Sequence, residues 1–473
     1  MDDYDVIVVG AGPAGENAAD YAARGGLTAA LVEHELIGGE CSYWACIPSK
    51  VLLRPAELID AARALPGAAQ AVSGTVDLAA VLARRDAFTH GWDDASQRAW
   101  AAGVGLDVVY GHGRLTGERR VAVDLPDGAE RALTARHAVV LATGTRAAVP
   151  DLPGLRAAAP WISRDLTALR HVPRRVVVLG AGVVACEGAQ ILHGLGAAEV
   201  TVVGRGDRLL ARTEPFAGEL VADRFRAAGI RVELGATVAQ VRRPAAGGEV
   251  TVVLGDGREI VADEVLCALG RRPASEDLGL DAVGLEPGGH LTTDDHMTVT
   301  GVPGAWLYAV GDITRRALLT HMGKYQARVA GDVIDARAHG RPLNGPRFAA
   351  TSDHGAVPQV VFTDPQVAAV GLTEQEARQA GSAVAAVQYD LGGVSGASIL
   401  RDDYTGRAKL VIDTDRETLL GATFVGPDVA ELVHAATVAL VGRVPLETLW
   451  HAVPSFPTVS EVWLRLLEEW RSR

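Results

Sequence analysis

The sequence predicts an α/β protein with two Rossmann-like dinucleotide-binding domains and a C-terminal α+β domain. Three observations predict it. A strand–glycine turn–helix–strand unit opens the chain, a second such unit starts at Arg174, and after residue 345 the pattern changes to paired strands and one apolar helix. The 473 residues suffice for about three domains and a large core.

The first unit reads "DVIVVGAGPAGENAADYAARGGLTAALVEH". Gly10, Gly12 and Gly15 meet the pattern G-x-G-x-x-G, and Glu33 closes the second strand 23 residues after Gly10. Glycines there let the backbone approach a pyrophosphate at a helix N-terminus, and the acid can hydrogen-bond a ribose hydroxyl. The second unit reads "RRVVVLGAGVVACEGAQILHGLGAAEVTVVGRGDRLL". Gly180 and Gly182 fit, but Ala185 takes the third glycine position, tolerable if helix and strand sit slightly apart. Its second strand ends in Gly204-Arg205 instead of an acid. Arg205, with Arg208 or Arg212, favours a ribose carrying a 2′-phosphate, hence NADP(H) over NAD(H); the alternative is that these arginines are simply solvated. In the last region "VVFTDPQVAAVGLTEQEA" and "KLVIDTDRETLLGATFVG" read as strands and "DVAELVHAATVALVGR" as a helix, with a linker around Pro342 to Pro358.

Composition narrows the function. Apolar residues make up 48% and charged residues 22%, an ordinary globular balance. A net charge of −13 argues against nucleic acid as partner. No apolar run approaches the ~20 residues that span a bilayer. The acidic start "MDDYD" lacks the basic region of a secretory signal, so the expected location is cytoplasmic, with no membrane partner. Four cysteines in so long a chain do not make a disulfide scaffold. A close pair among them reads as catalytic or metal-binding.

That pair is Cys41 and Cys46, in "GGECSYWACIPSK". Residues five apart in a regular helix are separated by ~7.5 Å of rise, whereas a disulfide needs Cα atoms within ~7 Å. A bridge between them therefore requires an interrupted helix and gives a reducible bond. The other readings are a zinc site and two unrelated thiols. Zinc takes four ligands, and Cys186 and Cys267 each sit alone in apolar stretches that suit inert core residues, so no metal site is expected. Tyr43 and Trp44, between the cysteines, either wall a substrate pocket or pack.

A dinucleotide domain followed by "GGECSYWACIPSK" resembles the class I pyridine nucleotide–disulfide oxidoreductases, the family of dihydrolipoamide dehydrogenase, glutathione reductase and mercuric reductase. "ATGTR" (142–146), "ALGRRP" (268–273), "AVGDI" (309–313) and "FTDPQVAAVGLTE" (362–374) are similar to its markers, in its order. The resemblance implies an FAD-binding domain in two parts, 1–150 and 280–345. It implies an NAD(P)-binding domain at 151–279 and a dimerisation domain at 346–473, hence a homodimer. It implies a redox-active Cys41–Cys46 disulfide, with Cys41 as interchange thiol and Cys46 against the flavin. Lys50 would sit near flavin N5 and pair with Glu187, and Asp312 would hydrogen-bond the ribityl chain. Gly39, Gly113, Thr143, Gly144 and Gly270 join the cofactor contacts on the same ground. The lack of an N-terminal metal-binding Cys-x-x-Cys domain and of a C-terminal cysteine pair in this sequence speaks against mercuric reductase proper.

In most of these enzymes a histidine in "HPTxxE" near the C-terminus reaches the partner's interchange thiol. Here the stretch is "FPTVSE": Pro457, Thr458 and Glu461 fit, and Phe456 occupies the histidine position. Phenylalanine cannot carry a proton, and general acid–base catalysis is worth ~10² to 10⁴ in rate. His451 either substitutes or simply packs. A phenylalanine at this place is similar to ketopropyl-coenzyme M oxidoreductase/carboxylase, a thioether-cleaving relative, as are "WAC" and "RTEP" at 212–215; Lys50 and Glu461 depart from that likeness. The expected function is an FAD-dependent NAD(P)H oxidoreductase delivering electrons through Cys41–Cys46 to a small-molecule acceptor or disulfide. The alternatives are a thioether-cleaving carboxylase, a quinone or metal-ion reductase, and a redox-sensing binding protein.

Overall fold

The computed structural model describes residues 2–473, which divide into two compact units. The first takes the chain through Pro48, then Asp86–Ala147 and Arg271–Asp353; the second takes Ser49–Arg85, Ala148–Gly270 and His354–Arg473.

The first unit is built on a seven-stranded sheet. Strands Asp107–Tyr110, Ala29–Glu33, Asp2–Val9 and Glu130–Leu141 lie side by side in parallel, and Leu307–Ala309 adds to the last of them from far along the chain. Strands Arg120–Asp124 and His112–Gly117 complete it in antiparallel fashion. Continuous apolar runs suit strands covered on both faces. Alternate residues separate accordingly: Val6, Val8 and Leu31 face one core, Ile7, Val9 and Val32 the other.

On one face helices Pro13–Arg24 and Thr320–Ala338 pack closely. A Cβ on Gly323 would lie 3.4 Å from the Ala14 methyl, and one on Gly331 would lie 2.5 Å from Tyr21 Cβ. Gly25, just past the first helix, meets Asp335 in the same way. Contact positions advance together along both chains, so the two helices run parallel with residues 14 and 323 level.

The second unit holds three sheets. A parallel four-stranded sheet runs in the order Arg231–Glu233, Glu199–Val203, Arg175–Leu179, Glu264–Cys267, the expected second dinucleotide fold. An antiparallel three-stranded sheet, Val238–Arg242 to Glu259–Ala262, accompanies it. The C-terminal region forms a five-stranded antiparallel sheet packed with helices Leu432–Val441 and Val462–Arg471, the α+β character read from its sequence. Lys409, on strand Arg407–Asp413, is nearly inaccessible and pairs with Glu214 at 2.8 Å and Glu374 at 2.7 Å.

Removing one member of a buried ion cluster leaves a charge without compensation. Lys409→Met is expected to lower stability by about 3–5 kcal/mol, read as a reduced denaturation midpoint. A change within about 0.5 kcal/mol, the range of ordinary surface substitutions, would show that the cluster carries no stability.

Candidate functional site

In the first unit the strand Asp2–Val9 ends at Gly10, at φ +99°. A Cβ on Gly10 would meet the Ala142 carbonyl oxygen at 2.6 Å, and one on Gly15 would overlap the Gly10 oxygen at 1.8 Å. These two glycines are demanded by backbone packed on backbone. Gly12 differs: a Cβ there meets nothing within 4 Å. It caps helix Pro13–Arg24 with no side-chain hydrogen bond, so no capping side chain occupies the helix N-terminus. That is the cradle a pyrophosphate requires. Glu33, 6% exposed, is fixed beside it: Ala11 N–H donates to its Oε2 at 2.7 Å, and His34 and Glu35 N–H donate to its Oε1.

Asp312 follows strand Leu307–Ala309 and accepts a hydrogen bond from Thr145 Oγ1 at 2.9 Å; burial raises its carboxyl above the usual range. Arg271 donates to the Thr145 hydroxyl at 2.6 Å and pairs with Glu40. Thr143 Oγ1 donates to the Ala274 carbonyl at 2.8 Å, and the Gly144 carbonyl accepts from Ala274 N–H. Gly113 packs against Val9 and Val32 from strand His112–Gly117. The glycine turn, the fixed acid and the half-buried aspartate fit a flavin dinucleotide.

The cysteines stand on two helices, the interruption that a bridge between them would need. Cys41 lies on the short helix Gly39–Tyr43, which ends at Trp44 (φ −136°, ψ 0°), and Cys46 opens the next helix, Cys46–Arg63. Gly39 at φ +56° lets the short helix lie on the dinucleotide turn, since a Cβ there would stand 2.7 Å from Gly12 Cα. Both cysteines are thiols in this structure. The Cys41 proton is held tightly, first by its hydrogen bond to Cys46 and then by burial, against the opposing pull of Thr320 and Lys324. Cys46 Sγ lies 3.3 Å from Thr320 Oγ1. Tyr43 is a packing residue: it is 1% exposed, and its hydroxyl donates to Gln97 Oε1 at 3.1 Å. Trp44 is half-buried, its ring centroid 5.6 Å from that of Tyr43.

In the second unit Gly180 is at φ +130°, where a Cβ would meet the Ala268 carbonyl at 2.4 Å, and Gly182 again opens onto free space at the start of helix Val183–Gly194. Ala185 is fully buried, its methyl absorbed in the core. Arg205 and Arg212 are exposed; Arg208 is half-buried and donates to the Ala211 carbonyl. Gly270, at φ +119°, accepts from Ala148 N–H. Lys50 and Glu187 meet at 2.7 Å, as expected. Helices Cys46–Arg63 and Val183–Gly194 approach closely enough for this because Gly194 carries no side chain against Ala56. Glu187, 5% exposed, also accepts from Phe362 N–H at 3.0 Å, and the Lys50 ammonium stands 4.9 Å from the Phe362 ring centroid.

Near the C-terminus Phe456 is 74% exposed. Glu461 is buried and accepts from Arg465 at 2.6 Å, while its other oxygen has no hydrogen-bond partner among the described residues. His451 is exposed. Cys186 and Cys267 are buried, and no cluster of three or more His, Cys, Asp or Glu side chains suits a metal ion among the described residues. No helix among these residues is long and apolar enough to cross a membrane.

The sequence reading gave Thr145, Arg271 and Phe362 no role, although they lie within the quoted markers, and it did not single out Glu16, Thr320 or Lys324, whose residue types carry no signal. Glu16, in the first turn of the glycine-turn helix, has its carboxyl pushed up to about 7 by burial, with Lys324 opposing and Glu33 adding to the rise.

Two dinucleotide turns, an adjacent pair of thiols and a lysine paired with a buried glutamate define a flavin- and nicotinamide-dependent oxidoreductase. Residues 4–330 match the family model described as pyridine nucleotide-disulphide oxidoreductase, and residues 357–466 match that family's dimerisation domain. The chain belongs to this family and is an enzyme that uses FAD and NAD(P)H. Dihydrolipoyl dehydrogenase of Chlorobaculum tepidum is 34% identical over 465 residues, covering 97% of this chain and 95% of that protein. Dihydrolipoyl dehydrogenase 3 of Pseudomonas putida is 32% identical, covering 98% and 97%. A mercuric reductase of Staphylococcus aureus is 29% identical, covering 97% of this chain and 81% of its own length. The fold is that of the HOCl-induced flavoprotein disulfide reductase RclA from Escherichia coli, solved as a Cu(II) complex: TM-score 0.83, 23% identity, 99% of each chain covered.

The folded state holds Glu16 at about 7 against an ordinary 4.5, so folding favours its protonated form. Stability from this group is complete below pH 4.5 and is lost as pH rises through 7. Glu16→Gln should therefore raise the melting temperature at pH 8 and leave it unchanged near pH 4.5. Equal shifts at both pH values would assign the effect to packing.

Proposed function

We propose that the chain is an NADPH-dependent flavoprotein reductase whose Cys41–Cys46 pair cycles between dithiol and disulfide and passes electrons to an acceptor without a histidine proton shuttle. The observation that carries this reading is the hydrogen-bonded Cys41–Cys46 pair, with Cys41 on a short helix seated directly on the flavin-type glycine turn. FAD, when bound, supplies a two-electron carrier between nicotinamide and sulfur.

The chain's own residues divide the remaining work. Gly10, Gly12 and Gly15 present amides to the pyrophosphate, Glu33 takes a ribose hydroxyl, and Asp312 holds the ribityl chain. Lys50, oriented by Glu187, presents a fixed cation where negative charge develops. Arg205, exposed just beyond the second dinucleotide sheet, supports recognition of a 2′-phosphate. Cys41 serves as the thiol that exchanges with the acceptor. The C-terminal domain supports assembly as a homodimer.

A second reading is favoured by one observation. Phe456 replaces the histidine, and Glu461 is engaged by Arg465 instead of orienting an imidazole. A proton-poor site suits a thioether-cleaving carboxylase, in which a carbanion must be protected from protonation. Relatives named dihydrolipoyl dehydrogenase and mercuric reductase suit a small disulfide or a metal ion as acceptor under the first reading; a quinone is the other class that needs no histidine.

Anaerobic titration with NADPH is expected to produce a long-wavelength absorbance band beside that of the flavin, and Cys46→Ser to abolish it. Identical spectra in the variant would remove the thiol from the mechanism. Phe456→His is expected to raise dithiol–disulfide turnover by about tenfold or more and to depress any carbanion chemistry. Turnover that stays flat in steady-state assays would dispose of the argument about the missing base.

A further inference from the structure

Away from the glycine turn, the first unit holds a polar cavity that the redox reading leaves without a task. Its volume is about 170 Å³, and its walls carry Arg119, Arg136, His137, Tyr308 and Arg337. It is separate from the dinucleotide site. Ala138, in its wall, lies four residues before Ala142, which packs on Gly10, so ~13 Å of strand divides the two places. Ligands of parallel sheets ordinarily use the C-terminal ends of the strands; this cavity lies towards their starts.

Local structure builds the walls. Strands Asp2–Val9 and Glu130–Leu141 pair through Tyr4 with Ala135 and Val6 with Ala138, so Asp5 alone faces Arg136 and His137. Such a bulge re-aims side chains. Arg136 pairs with Asp5 at 2.9 Å, and His137 Nε2 stands 3.8 Å from the same oxygen. Arg119 lies in the turn between strands His112–Gly117 and Arg120–Asp124, and its carbonyl accepts from Ala135 N–H at 2.8 Å, which holds that turn beside Arg136. Arg337 sits in the last turn of helix Thr320–Ala338. Arg136 is exposed; the other two arginines are half-buried.

These groups are incompletely satisfied by the protein. Arg337 donates to the Thr298 hydroxyl at 3.0 Å and the Tyr308 hydroxyl at 2.5 Å, and no carboxylate lies within 4 Å of it among the described residues. Tyr308 is 1% exposed, and its own hydroxyl proton meets no acceptor among those residues. Arg119 Nε is enclosed without a partner. Against three guanidinium charges stand two carboxylates: Asp5 and, 3.7 Å from Arg119, Glu118. One positive charge remains, and the C-terminal end of the helix answers only part of it.

We propose that this cavity binds a tetrahedral oxyanion, either free phosphate or the phosphate group of a small ester. Planar guanidinium forks match the oxygens of such a group, and the Tyr308 hydroxyl adds a neutral donor. The site is independent of the thiols and of the nicotinamide nucleotide.

The test is calorimetric titration of the full-length, FAD-loaded protein at constant ionic strength, with NADP⁺ present in excess. The probes are inorganic phosphate, phenyl phosphate and citrate. One saturable phosphate site per chain is expected. Arg119→Gln and Arg337→Gln should each weaken it about tenfold, and Arg205→Gln, at the nucleotide site, should leave it unchanged. Binding of inorganic phosphate alone assigns the cavity to the free ion, and binding of phenyl phosphate as well assigns it to phosphate esters. FAD content and melting temperature report folding; should Arg337→Gln unfold because Tyr308 loses its donor, Arg119→Gln carries the test. No saturable binding up to about 10 mM, unchanged affinity in folded Arg119→Gln, loss of binding in Arg205→Gln, or preference for citrate over both phosphates would each overturn the proposal.

Discussion

Backbone pressed against backbone at the first glycine turn is the constraint from which the rest of the first unit follows. Gly15 reaches the Gly10 carbonyl, Gly10 reaches Ala142, and Gly39 reaches Gly12, each at a distance that excludes a side chain. These contacts fix the start of helix Pro13–Arg24 and seat the short cysteine helix on it. Asp94 reinforces the arrangement by accepting from Ile37 N–H at 3.0 Å, which anchors the loop leading to Gly38. Position of the sulfurs is thus set by the same close packing that leaves room for a phosphate.

The two dinucleotide sheets use one architecture and tune it differently. In the first, a buried carboxylate tied to three backbone amides ends the second strand. In the second, Gly204 occupies that place because a Cβ there would lie 2.8 Å from the Ala181 methyl, and the chain turns outward into Arg205. A carboxylate among amides accepts from a hydroxyl; an exposed guanidinium answers a phosphate. The lysine–glutamate pair of the second unit depends on a third close contact, at Gly194 and Ala56.

Much of this was legible in the sequence because it is periodic or local. Glycine spacing, continuous apolar strands and the cysteine interval each carry a geometric requirement, and the interruption at Trp44 is one that a bridge across that interval would need. The Lys50–Glu187 pair came from resemblance, since nothing in its spacing implies contact across 137 residues. Glu16 and Lys324 were illegible. An acid in the first turn of a helix ordinarily complements the helix dipole, and its spacing carries no sign that the fold buries this one. The engagement of Glu461 by Arg465 was hidden for another reason. A four-residue helical interval is a common surface pairing, and its meaning depends on what position 456 holds.

The third glycine positions differ in tolerance. Gly15 admits no methyl, whereas Ala185 is already one, swallowed by the surrounding core. A turn with slack can be reshaped by small substitutions while the sheet beneath it stays intact; a turn without slack cannot. Over evolutionary time the nicotinamide side of such a molecule is free to drift between electron donors, while the flavin keeps permanent residence.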